Sequence, residues 1–205
     1  RRQANPSHAH AASGPLTESS LDIPSGLFFD RSHTWTFMER NGLVRTGLDD
    51  FIQHVTGTIT RVEMKNPGDR IRKGERMFTV IHKGKHLGIN SPVTGVISAR
   101  NEMLATDPSA INRAPYADGW IYLIEPANWT LEMQFLTLAD KYRDWLKGEF
   151  TRLKDFVATS MAASTPAYRH IVLQDGGELA DHLLEDLDPE VWEDFQSAFL
   201  DQPGS

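Results

Sequence analysis

The chain has no cysteine among its 205 residues. That absence removes thiol nucleophiles, thiolate metal sites and cysteine redox chemistry, and it leaves stability to an apolar core, which a chain of this length can build without covalent staples. No apolar run approaches the ~20 residues that a membrane-spanning helix needs. Basic residues are missing from one end: beyond Gln174 there are ten Asp and Glu and no Lys or Arg. This acidic end outweighs the whole net charge of −7, so the remainder is slightly basic. It lacks the dense cationic face with stacking aromatics that nucleic-acid binding uses, and nucleic acid is not expected as a partner. Phosphate-cradling and dinucleotide glycine patterns are absent, and none of Ser91, Ser160 or Ser164 sits in a Gly-x-Ser-x-Gly turn. The chain is therefore expected to be non-catalytic.

Three stretches of different character follow one another. Residues 1–26 are rich in Ala, Ser, Pro, Gly and His, a composition that buries too little apolar surface to offset ordering entropy, and they are read as a flexible N-terminal arm in which His8 and His10 are incidental. Because the first residue is Arg1 rather than Met, an upstream segment is expected. Localisation is read as cytoplasmic, with membrane association through a complex or through an anchor in that upstream segment as the alternative. Residues 27–129 consist of short β-type runs broken by turns. Residues 34–38 and 43–47 predict a hairpin closed through Asn41-Gly42, Leu48, Phe51, Ile52 and Val55 recur at helical spacing, and Asn66-Pro67-Gly68-Asp69 predicts a turn between strands. Residues 130–205 are read as a helical C-terminal extension with an acidic tail.

Residues 74–95 read as two strands folded about a tight turn, His82-Lys83-Gly84-Lys85-His86, that leads into Ile89-Asn90-Ser91-Pro92-Val93-Thr94-Gly95. This hairpin resembles that of the glycine cleavage system H protein. Other segments carry the same resemblance: His33-Thr34-Trp35, the run Gly47-Leu48-Asp49-Asp50-Phe51 with Gly57, and above all Asn101-Glu102, Leu104, Asp107-Pro108, Ile111-Asn112, Pro115-Tyr116 and Gly119-Trp120 at fixed spacing. The resemblance implies a mainly β barrel-sandwich hybrid of the lipoyl-domain type, here with added C-terminal helices. It also implies a lysine at the hairpin tip that carries lipoate through an amide, and partners that are the other protein subunits of a complex.

At the carrier register stands Gly84, which has no side chain. Ile81 and His82 replace the family's usual Glu-Ser, and Gly88 stands where Asp is frequent, so the neighbourhood a ligase would read is altered too. The principal expectation is a non-lipoylated scaffold or accessory subunit with no cofactor. The alternative is a lipoylated carrier, with lipoate on Lys85 or Lys83, shuttling aminomethyl or redox equivalents. The tip itself, with two fixed and two titratable positive charges at His82, Lys83, Lys85 and His86, is read either as a solvated end or as a docking point for an acidic partner; a two-histidine metal site across the turn lacks a matched third ligand. No other metal site is expected. His33 and Trp35 are read as packing and cap residues.

Beyond Asn128, apolar residues from Leu131 to Val157 recur at steps of three and four and predict one amphipathic helix of roughly 30 residues, about 45 Å long. An acidic helix is predicted to open at Asp175-Gly176-Gly177 and another at Asp188-Pro189-Glu190, with Trp192, Phe195 and Phe199 on one face. These aromatics are expected to bind a partner. A barrel with its own closed core is expected to stand without residues 130–205.

Overall fold

The structure, a computed structural model of the chain, describes residues 14–162, 173–174 and 178–201. The arm up to residue 13, with His8 and His10, lies outside the described residues, as does the predicted helix start at residues 175–177.

Local chemistry sets the first elements. Strands β2 (Phe28–Asp30), β3 (Thr34–Met38) and β4 (Val44–Leu48) run antiparallel, and the β3–β4 turn uses Gly42 at a φ of 84°. Helix α1 (Asp50–Thr56) starts where the Asp49 carboxylate accepts from the Ile52 amide at 3.1 Å, relieving one of the free donors at a helix start. Strands β5 (Arg61–Met64), β6 (Arg70–Ile71), β7 (Arg76–His82), β8 (Lys85–Asn90) and β9 (Gly95–Arg100) follow, then the short helix α2 (Ala110–Arg113) and β10 (Trp120–Pro126). With β1 (Pro15–Leu16) at the front, the chain continues into α3 (Trp129–Glu132), β11 (Thr137–Leu138), α4 (Ala139–Ala162), β12 (Leu173–Gln174), β13 (Glu178–Ala180) and α5 (Pro189–Phe195), which runs into one π-helical turn, Gln196–Leu200.

Among the described residues β11-β2-β3-β4-β10-β9-β6 form one sheet and β5-β7-β8 another, with β8 at an edge. Side chains of both meet in one core that includes Val44, Ile97, Tyr122 and Ile124 from the first and Phe78, Val80, Leu87 and Ile89 from the second. Tyr122 joins them directly, its ring edge-on to Phe78 and its hydroxyl donating to the Met77 carbonyl at 2.9 Å. This open sandwich with C-terminal helices is the lipoyl-domain-like barrel-sandwich architecture that the motifs implied.

Three expectations are corrected. The arm does not extend to residue 26: Leu16 and Ile23 are buried and β1 pairs with β13, because two apolar side chains and a strand partner offset the ordering cost that composition alone suggested. The long helix does not begin at Leu131. The backbone at Thr137–Leu138 is extended and pairs with Phe28 and Phe29, which leaves Leu131, Phe135 and Leu138 exposed. Finally, residues 178–180 form β13 instead of an acidic helix, held between β1 and β12 with Leu179 buried.

Helix α4 covers the sandwich. Its apolar stripe, Tyr142, Leu146, Phe150, Leu153 and Val157, is buried and belongs to the same core as the sheets. Tyr142 stacks on Phe29 at 4.6 Å, and Phe150 meets Phe51 edge-on at 5.5 Å, geometries that aromatic quadrupoles favour. The tail closes the far side of this layer, with Phe195 stacked on Phe199 at 4.5 Å and Phe156 edge-on to both. The expectation of a core closed without residues 130–205 is therefore not met, since a sandwich of about a hundred residues shares its core with these helices.

Candidate functional site

The hairpin of β7 and β8 is intact. Strands β7 and β8 pair from Arg76↔Asn90 to His82↔Lys85, which leaves Lys83-Gly84 as the two-residue turn. Both central residues lie in the left-handed region, Lys83 at a φ of 45° and Gly84 at 85°, the combination that a primed two-residue hairpin turn requires and that glycine adopts without a Cβ penalty. A Cβ built on Gly84 would meet nothing within 4 Å. The tip thus has room for a side chain at Gly84, the position expected from the resemblance to hold the carrier lysine.

The residues around the tip are brought together by the tail rather than by an empty outer surface. His82 is 1% exposed. Its Nδ1 lies 2.5 Å from the Thr58 carbonyl and its ring stacks on Trp192. Lys85 is partly buried, with its ammonium donating to the carbonyls of Glu185 and Leu187, the latter at 3.0 Å, and standing 5.3 Å from the centre of the Trp192 ring. Burial is the main influence that holds its pKa below the ordinary lysine value; the neighbouring Lys83 pushes the same way, and the carboxylates of Glu185, Asp186 and Asp188 oppose both. Lys83 is 69% exposed, with its amine 3.9 Å from a Glu185 carboxylate oxygen, and His86 is exposed. Of the four positive groups expected at the tip, Lys83 and His86 face solvent, while His82 and Lys85 are engaged by the tail.

Trp192, Phe195 and Phe199, expected as a partner surface, are 1%, 0% and 4% exposed. What they cover is the chain's own hairpin and α4. Sequence reading missed the polar grip that accompanies them. The Gln196 amide takes both backbone groups of Gly88, accepting from its N–H at 2.7 Å and donating to its carbonyl at 3.1 Å, and Asn90 donates to the Leu200 carbonyl at 3.0 Å. Gly88 also lets Arg76 pass: a Cβ there would lie 2.0 Å from the Arg76 Nε, and Arg76 reaches Asp201 at 3.1 Å. A glycine inside a strand, Gly88, was the signal in the sequence that something crosses here.

A second cluster sits where α4 meets α1. His33 is fully buried at a φ of 60°, stacked on Phe51. Its Nδ1 is 2.9 Å from Asp49, its Nε2 is 3.7 Å from Glu149, and Tyr142 donates to the same Asp49 carboxylate at 2.6 Å. Burial alone would lower the His33 pKa, but the two carboxylates outweigh it and raise it to about 9. Burial likewise works against the Glu149 carboxylate, yet His33 and Arg152 keep its pKa below the usual range. The expected packing role of His33 is met by a buried ion pair that binds α4 to the sandwich. The arrangement has no open cleft for a substrate.

The hairpin and its flanking motifs have counterparts in known proteins. The family model described as "Glycine cleavage H-protein" matches residues 27–149. The chain belongs to the glycine cleavage H-protein family. That match runs past the expected domain end at residue 129 and includes the first part of α4. The glycine cleavage system H protein of Methylococcus capsulatus is 34% identical over 122 residues, covering 60% of this chain and 94% of the relative. The probable glycine cleavage system H protein of Pyrococcus abyssi is 33% identical over 125 residues, covering 61% and 92%. The crystal structure of an H protein from Mycobacterium marinum superposes with a TM-score of 0.56 at 23% identity, over 61% of this chain and 99% of that one, which supports the shared fold. The described helices beyond residue 149 lie outside the family match.

Proposed function

We propose that this H-protein family member is a non-catalytic subunit engaged by other protein subunits in a glycine-cleavage-type or other lipoate-dependent system, located in the cytoplasm, and that its own lipoyl attachment has been lost. Family membership supports the first part. One observation carries the second: beside Gly84, where the resemblance places the carrier lysine, the Lys85 amine is held by two tail carbonyls and the Trp192 ring. An acyl-lysine needs a free, neutral amine to form and an unconfined arm to act. The register position offers no amine, and Lys85 offers one already committed to the fold.

A second reading, the lipoylated carrier, draws more support from the family match and from the names of the relatives. A specific observation favours it as well, because Lys83 is 69% exposed at the same tip, one residue from the register. In either form the exposed partner-facing groups of the tip are Lys83 and His86, while His82, Trp192, Phe195 and Phe199 act through the shape of the covered hairpin. Among the described residues no helix is long and apolar enough to cross a membrane.

Intact-mass measurement on protein purified from its native host separates the two readings. The unmodified mass is expected. An increase of one lipoyl group that maps to Lys85 or Lys83 would establish the carrier reading and overturn the loss of attachment.

A further inference from the structure

Away from the hairpin tip, two histidines and a carboxylate converge from segments far apart in sequence. His54 lies in the last turn of α1; Asp181 and His182 follow β13. One donor atom from each lies within 4.8 Å of the others, and all three residues are partly exposed, so an ion could reach them. We propose that His54, Asp181 and His182 form a binding site for a borderline divalent cation of the zinc type, which braces the tail against α1.

The donor set suits such an ion: two imidazoles and one carboxylate bind zinc at about 2.0–2.2 Å, leaving a fourth position for water, and the ion takes the place of the proton on His54, whose pKa is raised to about 9 because Asp181 and Asp50 outweigh its burial. The surroundings argue further than the donors do. A metal-bound histidine ordinarily donates its remote N–H to a carboxylate, which fixes the ring, and here each histidine has one in place. His54 turns Nδ1 toward Asp181 at 2.7 Å and Nε2 toward Asp50 at 3.4 Å. His182 turns Nε2 toward Asp181 at 3.6 Å and Nδ1 toward Glu185 at 3.6 Å. Asp50 is itself anchored by the Asp22 amide at 2.7 Å and the Gln53 side chain at 2.6 Å. Behind Glu185 stands the Nε2 of His82, buried without a hydrogen-bond partner and 3.8 Å from the carboxylate.

The backbones that carry the donors are already joined. The His182 amide donates to the His54 carbonyl at 2.7 Å and the Leu184 amide to the Val55 carbonyl at 3.0 Å. The ion therefore has only to adjust side chains: tetrahedral donors around zinc stand about 3.3 Å apart, so the His54–Asp181 contact opens from 2.7 Å while rotation of the half-exposed His182 ring brings its Nε2 inward from 3.6 Å. Occupancy would also reach the hairpin, because Glu185, the outer carboxylate of His182, is the residue whose carbonyl holds Lys85.

The full chain, stripped with a chelator, should be titrated with zinc chloride by calorimetry and by thermal melting, with cobalt(II) as the optical probe. The expected result is one equivalent bound, a melting midpoint raised by several degrees, and ligand-field bands of a tetrahedral cobalt site. In the Asp181→Asn/His182→Gln double variant all three should vanish, while the metal-free midpoint falls by a few degrees because the 2.7 Å contact of Asp181 with His54 loses its charge. Glu185→Gln should fold and bind zinc about tenfold more weakly. Binding that is equal in the double variant would place the ion elsewhere, and a midpoint indifferent to zinc would show no folded-state site; either result overturns the proposal.

Discussion

The sandwich meets the C-terminal segments at two junctions that differ in kind. Where α4 crosses α1, the contact is a fully buried cluster of charged and aromatic groups, His33, Asp49, Tyr142, Glu149 and Phe51, whose members are fixed by one another. Where the tail crosses the hairpin, the contact reads mostly backbone: carbonyls of Glu185 and Leu187 hold Lys85, and one glutamine amide takes both polar groups of Gly88. The first junction lies inside the family match and the second is reached only beyond it. Burying charges is tolerated only with matched partners, so the first is intolerant of substitution. A backbone-reading contact asks for little side-chain chemistry from the strand it covers, which makes it the easier kind of contact to add to an existing fold.

The most severe break of this comparison is deletion of residues 130–205. It uncovers Phe29, Phe51 and the hairpin together, and the remaining sandwich should lose cooperative unfolding, as followed by circular dichroism and denaturant titration. A folded, cooperatively melting fragment would show that the α4 junction is dispensable.

Trp192→Ala tests the tail junction alone. Removing a buried indole costs about 3–5 kcal/mol, and the loss should be accompanied by faster proteolysis after residue 180 and a more reactive Lys85 amine towards acylating reagents. Equal reactivity of Lys85 in both proteins would separate the indole from the lysine.

At the α4 junction, Tyr142→Phe removes a hydrogen bond to a buried carboxylate and should cost about 1.5–3 kcal/mol. The same junction sets a pH dependence. The folded pKa of His33 is raised to about 9 from an ordinary value of 6.5, so protonation favours the folded state; its contribution is complete below about pH 6.5 and is lost as pH rises through 9. Denaturant midpoints measured from pH 6 to 10 should fall over that window in the parent and fall less in His33→Gln. Parallel curves would remove His33 as the cause.

The smallest expected effect is that of Gly84→Lys. The tip has space for the side chain, and the cost is confined to a left-handed backbone, about 1 kcal/mol. The variant should fold normally and become the better substrate of a lipoate ligase in vitro. Failure to accept lipoate despite normal folding would point to Ile81, His82 and Gly88 as the altered recognition.

The parts of this molecule that could be read from sequence are those governed by short-range chemistry. Asn41-Gly42 announced its turn, Asp188-Pro189 its helix start, and the fixed spacings around residues 101–120 their family, because each depends on residues a few positions apart. The junctions could not be read that way. Asp49 to Tyr142 and Gly88 to Gln196 are pairings across about a hundred residues, and nothing in the local pattern of either partner names the other. Helical periodicity misled at Leu131, Phe135 and Leu138 because an open strand edge at β2 competed for the same backbone. The acidic charge of the tail suggested a foreign partner, while its carbonyls and aromatics were already matched to the hairpin.

A strand with no strand on its outer side is a template on which another extended chain can grow, and among the described residues β8 is such a strand. The Gln196 amide occupies the N–H and C=O that the next strand would have used, and it does so with a side chain too short to propagate the ladder. The tail thereby stops the sheet from growing at Gly88. Where it is lost, the hairpin is left with both a bare edge and uncovered Trp192 contacts, and the molecule's first response should be to find another copy of itself.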